Sequence, residues 1–264
     1  MTIATVQQLF THPIKGLTPC ECDRAFLTEG HGIKGDRAFA LMFEEGEEVE
    51  AGEVPWQSKK HFAVQNDWPL LAALECRYEA ETAVLTVKRQ GVMLLEAETQ
   101  TATGRSRIGA FFSDYLATLT PTPEARHPQR SPLRLVGNRN GSTRYPDREP
   151  VHISLLSQAT LDRLSEVAGE WVDVRRFRPN VVLAGVSAWE EFNWIGKELE
   201  LGTARIAIAA RIGRCVNIEV NPDTGDRDLR LLSVLQEHFG HAQTGVLAKI
   251  IRSGSVAIGD ALTE

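Results

Sequence analysis

Ala204-Arg205-Ile206-Ala207-Ile208-Ala209-Ala210 runs without a break into Arg211-Ile212-Gly213-Arg214-Cys215, and six residues past the cysteine stands Asn221, the first residue of Asn221-Pro222-Asp223-Thr224-Gly225. Apart from Arg205, the first seven residues are apolar and partly β-branched, which reads as a strand. The cysteine ending this run has two arginines close by. Cations near a thiol favour the thiolate, the form that attacks electrophiles and binds soft metals. The same local sequence suits an inert core cysteine at the start of a strand, because free cysteine is commonly a small buried hydrophobe. The pentapeptide is a turn with a mechanism: Pro222 fixes φ, Asp223 and Thr224 can bond the local backbone, and Gly225 accepts a positive φ.

Around this stretch the second half of the chain reads as short strands with two helices. Strands are expected at Val151 to Leu156, Asn180 to Val186, Glu198 to Leu201 and Val216 to Val220. A helix that Ser157 can cap follows the first of these, with Leu161, Leu164, Val167 and Ala168 on its buried face. A second helix, Leu229 to Phe239, precedes a strand pair at Val246 to Ile251 and Val256 to Ile258, joined as a hairpin through Ser253 and Gly254. The first half reads as a β-barrel or curled sheet, from strands at Ile3 to Phe10, Ala38 to Phe43, Ala83 to Lys88 and Val92 to Glu96. Residues 44 to 60, rich in acids and glycine, read as an exposed loop. Ile108, Phe111, Phe112, Tyr115, Leu116 and Leu119 have the spacing of an amphipathic helix that closes this half. Pro121, Pro123, Pro128 and Pro132 then mark a linker, which divides the chain into domains at residues 1–120 and 121–264.

At 264 residues the chain is long enough to bury a full core and to be an enzyme. Its 29 Lys and Arg against 35 Asp and Glu give a net charge of −6, so the whole molecule repels nucleic acid and acidic membrane surfaces, and any anion site must be local. No stretch approaches the roughly 20 apolar residues of a membrane helix. Met1 to Gly16 lacks the unbroken apolar run of a signal peptide. A soluble, cytoplasmic protein is expected. The four cysteines, Cys20, Cys22, Cys76 and Cys215, are too few and too irregularly spaced for a disulfide framework. Cys20 and Cys22 form a C-x-C pair without the second ligand pair that a zinc site needs.

In order along the chain, Arg176-Phe177-Arg178-Pro179-Asn180, Trp189-Glu190-Glu191, Arg214-Cys215, Asn221-Pro222-Asp223-Thr224-Gly225 and Val256-Ala257-Ile258-Gly259-Asp260 resemble the MOSC domain. The name denotes the C-terminal domain of molybdenum cofactor sulfurase. His12-Pro13-Ile14-Lys15-Gly16 and Gly35-Asp36-Arg37-Ala38-Phe39 resemble the β-barrel domain that precedes MOSC in one branch, which includes the mitochondrial amidoxime-reducing component and its bacterial relatives. No single piece is specific; the ordered set carries the resemblance, over nearly the whole chain. The implied fold is α+β and mainly β, an N-terminal β-barrel-like domain packed on a MOSC β-barrel with a few helices. Because the matched residues come from both halves, the cofactor is expected in the cleft between them.

What the resemblance implies chemically is a mononuclear molybdenum held by the dithiolene of a molybdopterin and by one protein cysteine, a pyridoxal-phosphate-independent reduction of N-hydroxylated small molecules. Cys215 is then metal ligand and catalytic residue, since a soft thiolate suits a metal that changes oxidation state. The pterin phosphate asks for cationic forks, and the matched positions are Lys15, Arg37, Arg178 and Arg214, with Gly16, Asn180 and Gly213 completing the cofactor contacts. By residue type alone, Lys15 also reads as a surface lysine, Arg37 as an ion-pair partner of Asp36, and Asn180 as a bond to neighbouring backbone. His127, His152 and His238 stand without partner motifs, and Trp189 and Trp194 read as packing residues.

Two departures from the family pattern stand out. Gly213 replaces the hydroxyl residue that relatives often have two positions before the cysteine. Arg148 and Glu149 replace small polar residues in Tyr145-Pro146-Asp147-Arg148-Glu149-Pro150. Many bacterial relatives continue into a ferredoxin domain and this sequence ends at Glu264, so an external reductase or ferredoxin-type electron donor is expected as partner, with neither nucleic acid nor membrane. The rival reading is a carrier of sulfur or of molybdenum cofactor, with Cys215 as persulfide or thiolate.

Overall fold

A computed structural model describes residues 1–44, 54–125, 132–148 and 152–264. Most of the loop expected at 44 to 60, the linker around His127 and Pro128, and Glu149 to Val151 lie outside those residues. The first half holds β1 (Thr2–Thr11), β2 (Cys20–Glu21), β3 (Arg24–Thr28), β4 (Gly32–Ile33), β5 (Phe39–Phe43), β6 (Glu75–Glu79), β7 (Val84–Arg89), β8 (Val92–Glu98) and the helix α1 (Ala102–Ala117). The second holds β9 (Leu133–Gly137), β10 (Ile153–Ser157), α2 (Gln158–Ala168), β11 (Val181–Ala184), β12 (Glu198–Leu201) and β13 (Ala204–Gly213). It ends with α3 (Leu231–Phe239), β14 (Gln243–Arg252), β15 (Gly254–Ala257) and β16 (Ala261–Thr263).

Strands β11, β10, β14, β13, β12, β16 and β1 pair in that order, and β1 returns to β11, closing a barrel of seven strands. β10 and β11 are parallel, which needs a crossover, and α2 with the turn at Val174–Phe177 provides it. The remaining joints are antiparallel. Alternation along β13 sends Ala204, Ile206 and Ile208 inward, where they meet Leu9, Leu155, Leu183, Leu201 and Val246. The second core belongs to the first half: Leu85, Val87 and Leu95 of the β6-β7-β8 meander pack with Ile108, Phe112 and Leu116 of α1. Thr101 caps α1, its Oγ1 accepting from the Gly104 amide at 3.1 Å, so the helix starts six residues ahead of the first apolar position in the expected pattern. A side chain at Gly104 would meet the Glu98 carbonyl at 2.0 Å, which is why glycine sits in this first turn.

The halves are interlocked. β1 comes from the start of the chain yet closes the barrel built by its second half, β9 pairs with β5, and β15 pairs with β3. Three expectations change as a result. The segment expected as a strand at Val216 to Val220 is a 3-10 turn over Val216–Glu219, closed by Ile218 N to Cys215 O and Val220 N to Asn217 O. Its apolar residues are drawn under α2 and α3, where Ile218 is buried, instead of into a sheet. β14 and β15 do not form the expected hairpin: β14 pairs with β13 and β10, while β15 leaves to β3. The chain passes so close to the β12–β13 turn at Gly254 that a Cβ there would lie 2.4 Å from the Thr203 carbonyl carbon. Ser157 occupies the N-cap position of α2, but its Oγ makes no cap bond. Among the described residues no helix is long and apolar enough to cross a membrane.

Because β1 closes the barrel, Leu9, which is 1% exposed, is a sensitive point. Leu9→Ala is expected to lower the unfolding free energy by about 2–5 kcal/mol, while Leu94→Ala on the exposed edge of β8 shifts it by no more than about 0.5 kcal/mol. Urea unfolding of both variants checks this.

Candidate functional site

Cys215 lies where β13 ends and the Val216–Glu219 turn begins, and it is exposed, whereas Cys76 is buried and Cys20 and Cys22 are partly so. It lines a cleft of about 530 Å³, a ligand-sized volume. Lys15, Gly16, Arg37, Arg178, Asn180, Gly213 and Arg214 line the same cleft, so the residues expected to contact the cofactor meet there. The bland alternative for Cys215, a packed core cysteine, does not hold. Gly213 is exposed, and a Cβ at this position would touch nothing within 4 Å, which leaves the floor beside Cys215 open. Among the described residues no three His, Cys, Asp or Glu side chains gather as a metal site, so Cys20 and Cys22 form no such cluster.

Arg214 is a fixture of the strand end. Its Nη1 donates to Phe177 O at 3.0 Å, Nη2 to Thr244 O at 2.6 Å, and Nε to Thr244 Oγ1 at 2.6 Å, with the guanidinium over the Phe177 ring. Burial pulls it down to about 10, still charged at neutral pH. These bonds pin the residue next to Cys215 to both flanking segments, so Arg214 offers less of an open fork than its position in the motif implied. Asn180 is engaged completely. Its Oδ1 accepts from Ser154 N and Oγ at 3.1 and 3.2 Å, and its Nδ2 donates to Phe10 O at 3.2 Å and Asp36 Oδ1 at 3.3 Å. An amide has two donors and one acceptor oxygen with two lone pairs, so none is left for a cofactor. The side chain expected to face the pterin instead joins β1, β10 and the Asp36 turn.

Asp36 is 1% exposed and holds the cationic wall together. It accepts from the His12 amide at 2.8 Å, Arg37 Nη1 at 2.5 Å and Arg144 Nη2 at 2.8 Å, besides Asn180. Burial opposes its charge, but Arg37, the bonds with His12 and Arg144 outweigh that and hold the carboxyl well below the usual range. Arg144 also donates to Asp36 O and His31 O, tying the loop ahead of Tyr145 to this turn. The Arg178 side chain makes one hydrogen bond among the described residues, Nη1 to Leu17 O at 2.7 Å. Burial, then the charge of Arg37, pulls it down to about 10. Arg37 and Arg178 both hold left-handed backbone, φ 52° and 51°, which non-glycine residues adopt at a cost that clusters at functional sites. Gly16 is left-handed too, and a Cβ there would sit 2.6 Å from Ala63 O.

Lys15 is buried, donating to Tyr145 O at 3.1 Å and to Asp147 Oδ1. Asp147, exposed at the cleft rim, is the one carboxylate lining the cleft among the described residues. Desolvation works against its charge, yet Lys15 keeps it below the usual carboxylate range. The Asn221–Gly225 turn forms part of the support. Asn221 Oδ1 accepts from Asp223 N and Thr224 N, Arg175 pairs with Asp223 and Arg176 with Asp228, and a Cβ on Gly225 would lie 2.7 Å from Leu70 Cα of the first half. Glu191, buried beneath β10, accepts from Thr160 Oγ1 and from Ser157 N at the start of α2. Trp194 is core and Trp189 packs on Phe192 and Phe239. His152 lines the cleft, His238 is exposed and His127 lies outside the described residues. Arg144 and Lys59 were missed, because neither stands in a local pattern; only the proximity of Arg144 to the Tyr145-Pro146-Asp147 segment could have flagged it.

His12 has no measurable exposure, lies 3.4 Å from Asp36 Oδ1, and neither ring nitrogen makes a hydrogen bond. Burial, then Arg178 and Arg37, depress it to about 3. Between that value and its ordinary 6.5 the unfolded chain binds the extra proton, so this histidine lowers stability as pH falls through that window. His12→Gln is expected to flatten the stability loss between pH 6.5 and 4 by up to about 1.4 kcal/mol per pH unit, measured as urea-unfolding free energy against pH.

Comparison with known proteins fits this geometry. Residues 3–123 match the MOSC N-terminal beta barrel domain and residues 142–263 the MOSC domain. The chain is 26% identical over 244 residues to mitochondrial amidoxime reducing component 2 of Rattus norvegicus and 28% identical over 240 residues to that of Bos taurus, covering 84% of this chain and 68% of each relative. It is 24% identical over 235 residues to mitochondrial amidoxime-reducing component 1 of Homo sapiens, again 84% of this chain and 68% of the relative. With both matches falling on the two interlocked halves that build the cleft around Cys215, the chain consists of a MOSC N-terminal β-barrel domain followed by a MOSC domain.

Proposed function

We propose that this protein is a molybdenum-cofactor-dependent reductase of N-hydroxylated compounds such as amidoximes and hydroxylamines, supplied with electrons by an external protein donor. The observation that carries the reading is an exposed thiol, Cys215, in a ligand-sized cleft whose other wall carries Lys15, Arg178 and Arg37, the last paired with the buried Asp36. The names of the relatives support the substrate class.

The residues fit a pterin-bound metal. Cys215 offers one soft ligand, which suffices for a metal whose other sulfur ligands come with an organic group. Arg37 lies close enough to disfavour the charge of Arg178, an arrangement that an anion relieves, and the Arg178 side chain makes a single protein hydrogen bond among the described residues. Lys15, Arg37 and Arg178 would hold the phosphate, Gly16 and Gly213 would leave room for the group, and Cys215 would bind the metal. When bound, the cofactor supplies oxygen abstraction: N–OH plus two electrons and two protons gives N–H and water.

The protein's own part is positional and electrostatic. Arg214 locks the end of β13, so the Cys215 thiol is presented from a fixed backbone. Asp36 pairs with Arg37 and aligns it, while Arg144 and Asn180 brace Asp36. The Asp147 carboxylate, kept ionised by Lys15, offsets part of the positive field at the rim.

Protein from a cofactor-competent host should carry close to one molybdenum per chain and reduce benzamidoxime with a reduced viologen as donor. Cys215→Ser should lose the metal and at least about a hundredfold of the activity, with an unchanged unfolding transition. Elemental analysis and turnover check this. Molybdenum-free protein bearing cyanide-releasable sulfur on Cys215 would favour the carrier instead.

A further inference from the structure

The cations of the cleft fall into two sets by what already answers their charge. Deep in it, Arg37, Lys15 and Arg176 each touch a carboxylate, and Arg178 and Arg214 donate to backbone carbonyls. At the mouth, Lys59 and Arg148 are exposed, line the same cleft, and form no ion pair with any carboxylate among the described residues. The segments bearing them are tied together rather than merely adjacent. Trp56 Nε1 donates to Pro146 O at 3.1 Å, and Asp147, next to Arg148, is anchored on buried Lys15 and also feels the charge of Lys59. One pterin phosphate has the inner set to answer it. A guanidinium and an ammonium then remain at the mouth, where an incoming molecule must pass.

We propose that Lys59 and Arg148 form a second anion subsite, which takes a carboxylate or phosphate on the part of the substrate remote from its N–OH group. Resting on the reductase reading above, this makes anionic N-hydroxylated compounds the preferred substrates. Arg148 supplies a planar fork suited to either anion, and Lys59 a point charge beside it. The same anion chemistry would be presented by a nucleotide phosphate attached to the pterin, so the test must separate the two sources.

Holo-protein is titrated calorimetrically with benzamidoxime and with 4-carboxybenzamidoxime, in wild type and in Lys59→Gln/Arg148→Gln, alongside turnover of both compounds and mass analysis of the released pterin. The carboxylated compound is expected to bind about tenfold more tightly at low ionic strength, an advantage that falls in about 0.5 M salt and vanishes in the double variant. Benzamidoxime affinity stays the same, and the released pterin carries no nucleotide. Equal affinities in wild type, no binding of either compound, or a preference that survives the double variant overturns the proposal. So does a nucleotide-bearing pterin whose retention depends on the pair. If neither compound is reduced while the carboxylate preference stands, the reductase reading falls and the subsite remains. The single variants, each expected to lose about a threefold share of the preference, serve if the double variant does not fold.

Discussion

A single buried carboxylate organises this molecule. Asp36 is almost wholly withdrawn from water, and an ion so placed is tolerated only when paired and hydrogen-bonded on every side. It meets that demand with its neighbour Arg37 and with partners from three distant places: the His12 amide just past β1, Arg144 ahead of the Tyr145 loop, and Asn180 before β11. Each partner is also a wall or support of the cleft. The requirement to satisfy one charge therefore aligns the segments that surround the thiol.

The interlocked topology makes such a centre possible. The chain's first strand closes the barrel and ends next to the Asp36 turn, so motifs separated by more than a hundred residues share one hydrogen-bond network. Glycines allow the closest approaches: Gly16 against Ala63 and Gly225 against Leu70 bring backbones nearer than a Cβ would permit. Against an overall charge of −6, the cleft gathers cations whose mutual repulsion is only partly answered by Asp36 and Asp147. That residual imbalance is the chemical signature of a place meant for an anion. Backbone strain at Arg37 and Arg178 falls at the same place.

Much of the fold was legible from periodicity. The strands at β1, β5, β7, β8, β12 and β13 and all three helices lie where apolar spacing put them, because alternation and 3.6-residue patterns are local properties. Short strands such as β2, β4 and β16 carry too few residues to show a period, and they exist because a neighbour is there to pair with. The Val216–Glu219 turn shows the opposite failure: β-branched residues suggest a strand, but among the described residues only Val220 finds a bridge partner, Arg227, and the core below takes the rest as a turn.

Taken alone, the sequence determined that Cys215, Lys15, Arg37 and Arg178 deserve attention, since these residues sit in recognisable local strings whose order is itself information. Which of them remain open to a ligand was decided only by tertiary structure. Asn180 and Arg214 stand in equally strong strings, yet their hydrogen-bonding groups are largely or wholly spent on Ser154, Phe10, Asp36, Thr244 and Phe177. Lys59 and Arg144 stand in no string, yet Lys59 lines the cleft and Arg144 braces Asp36 behind it. A side chain's residue type specifies what it can bond, but whether those bonds are already made depends on which distant backbone folds against it.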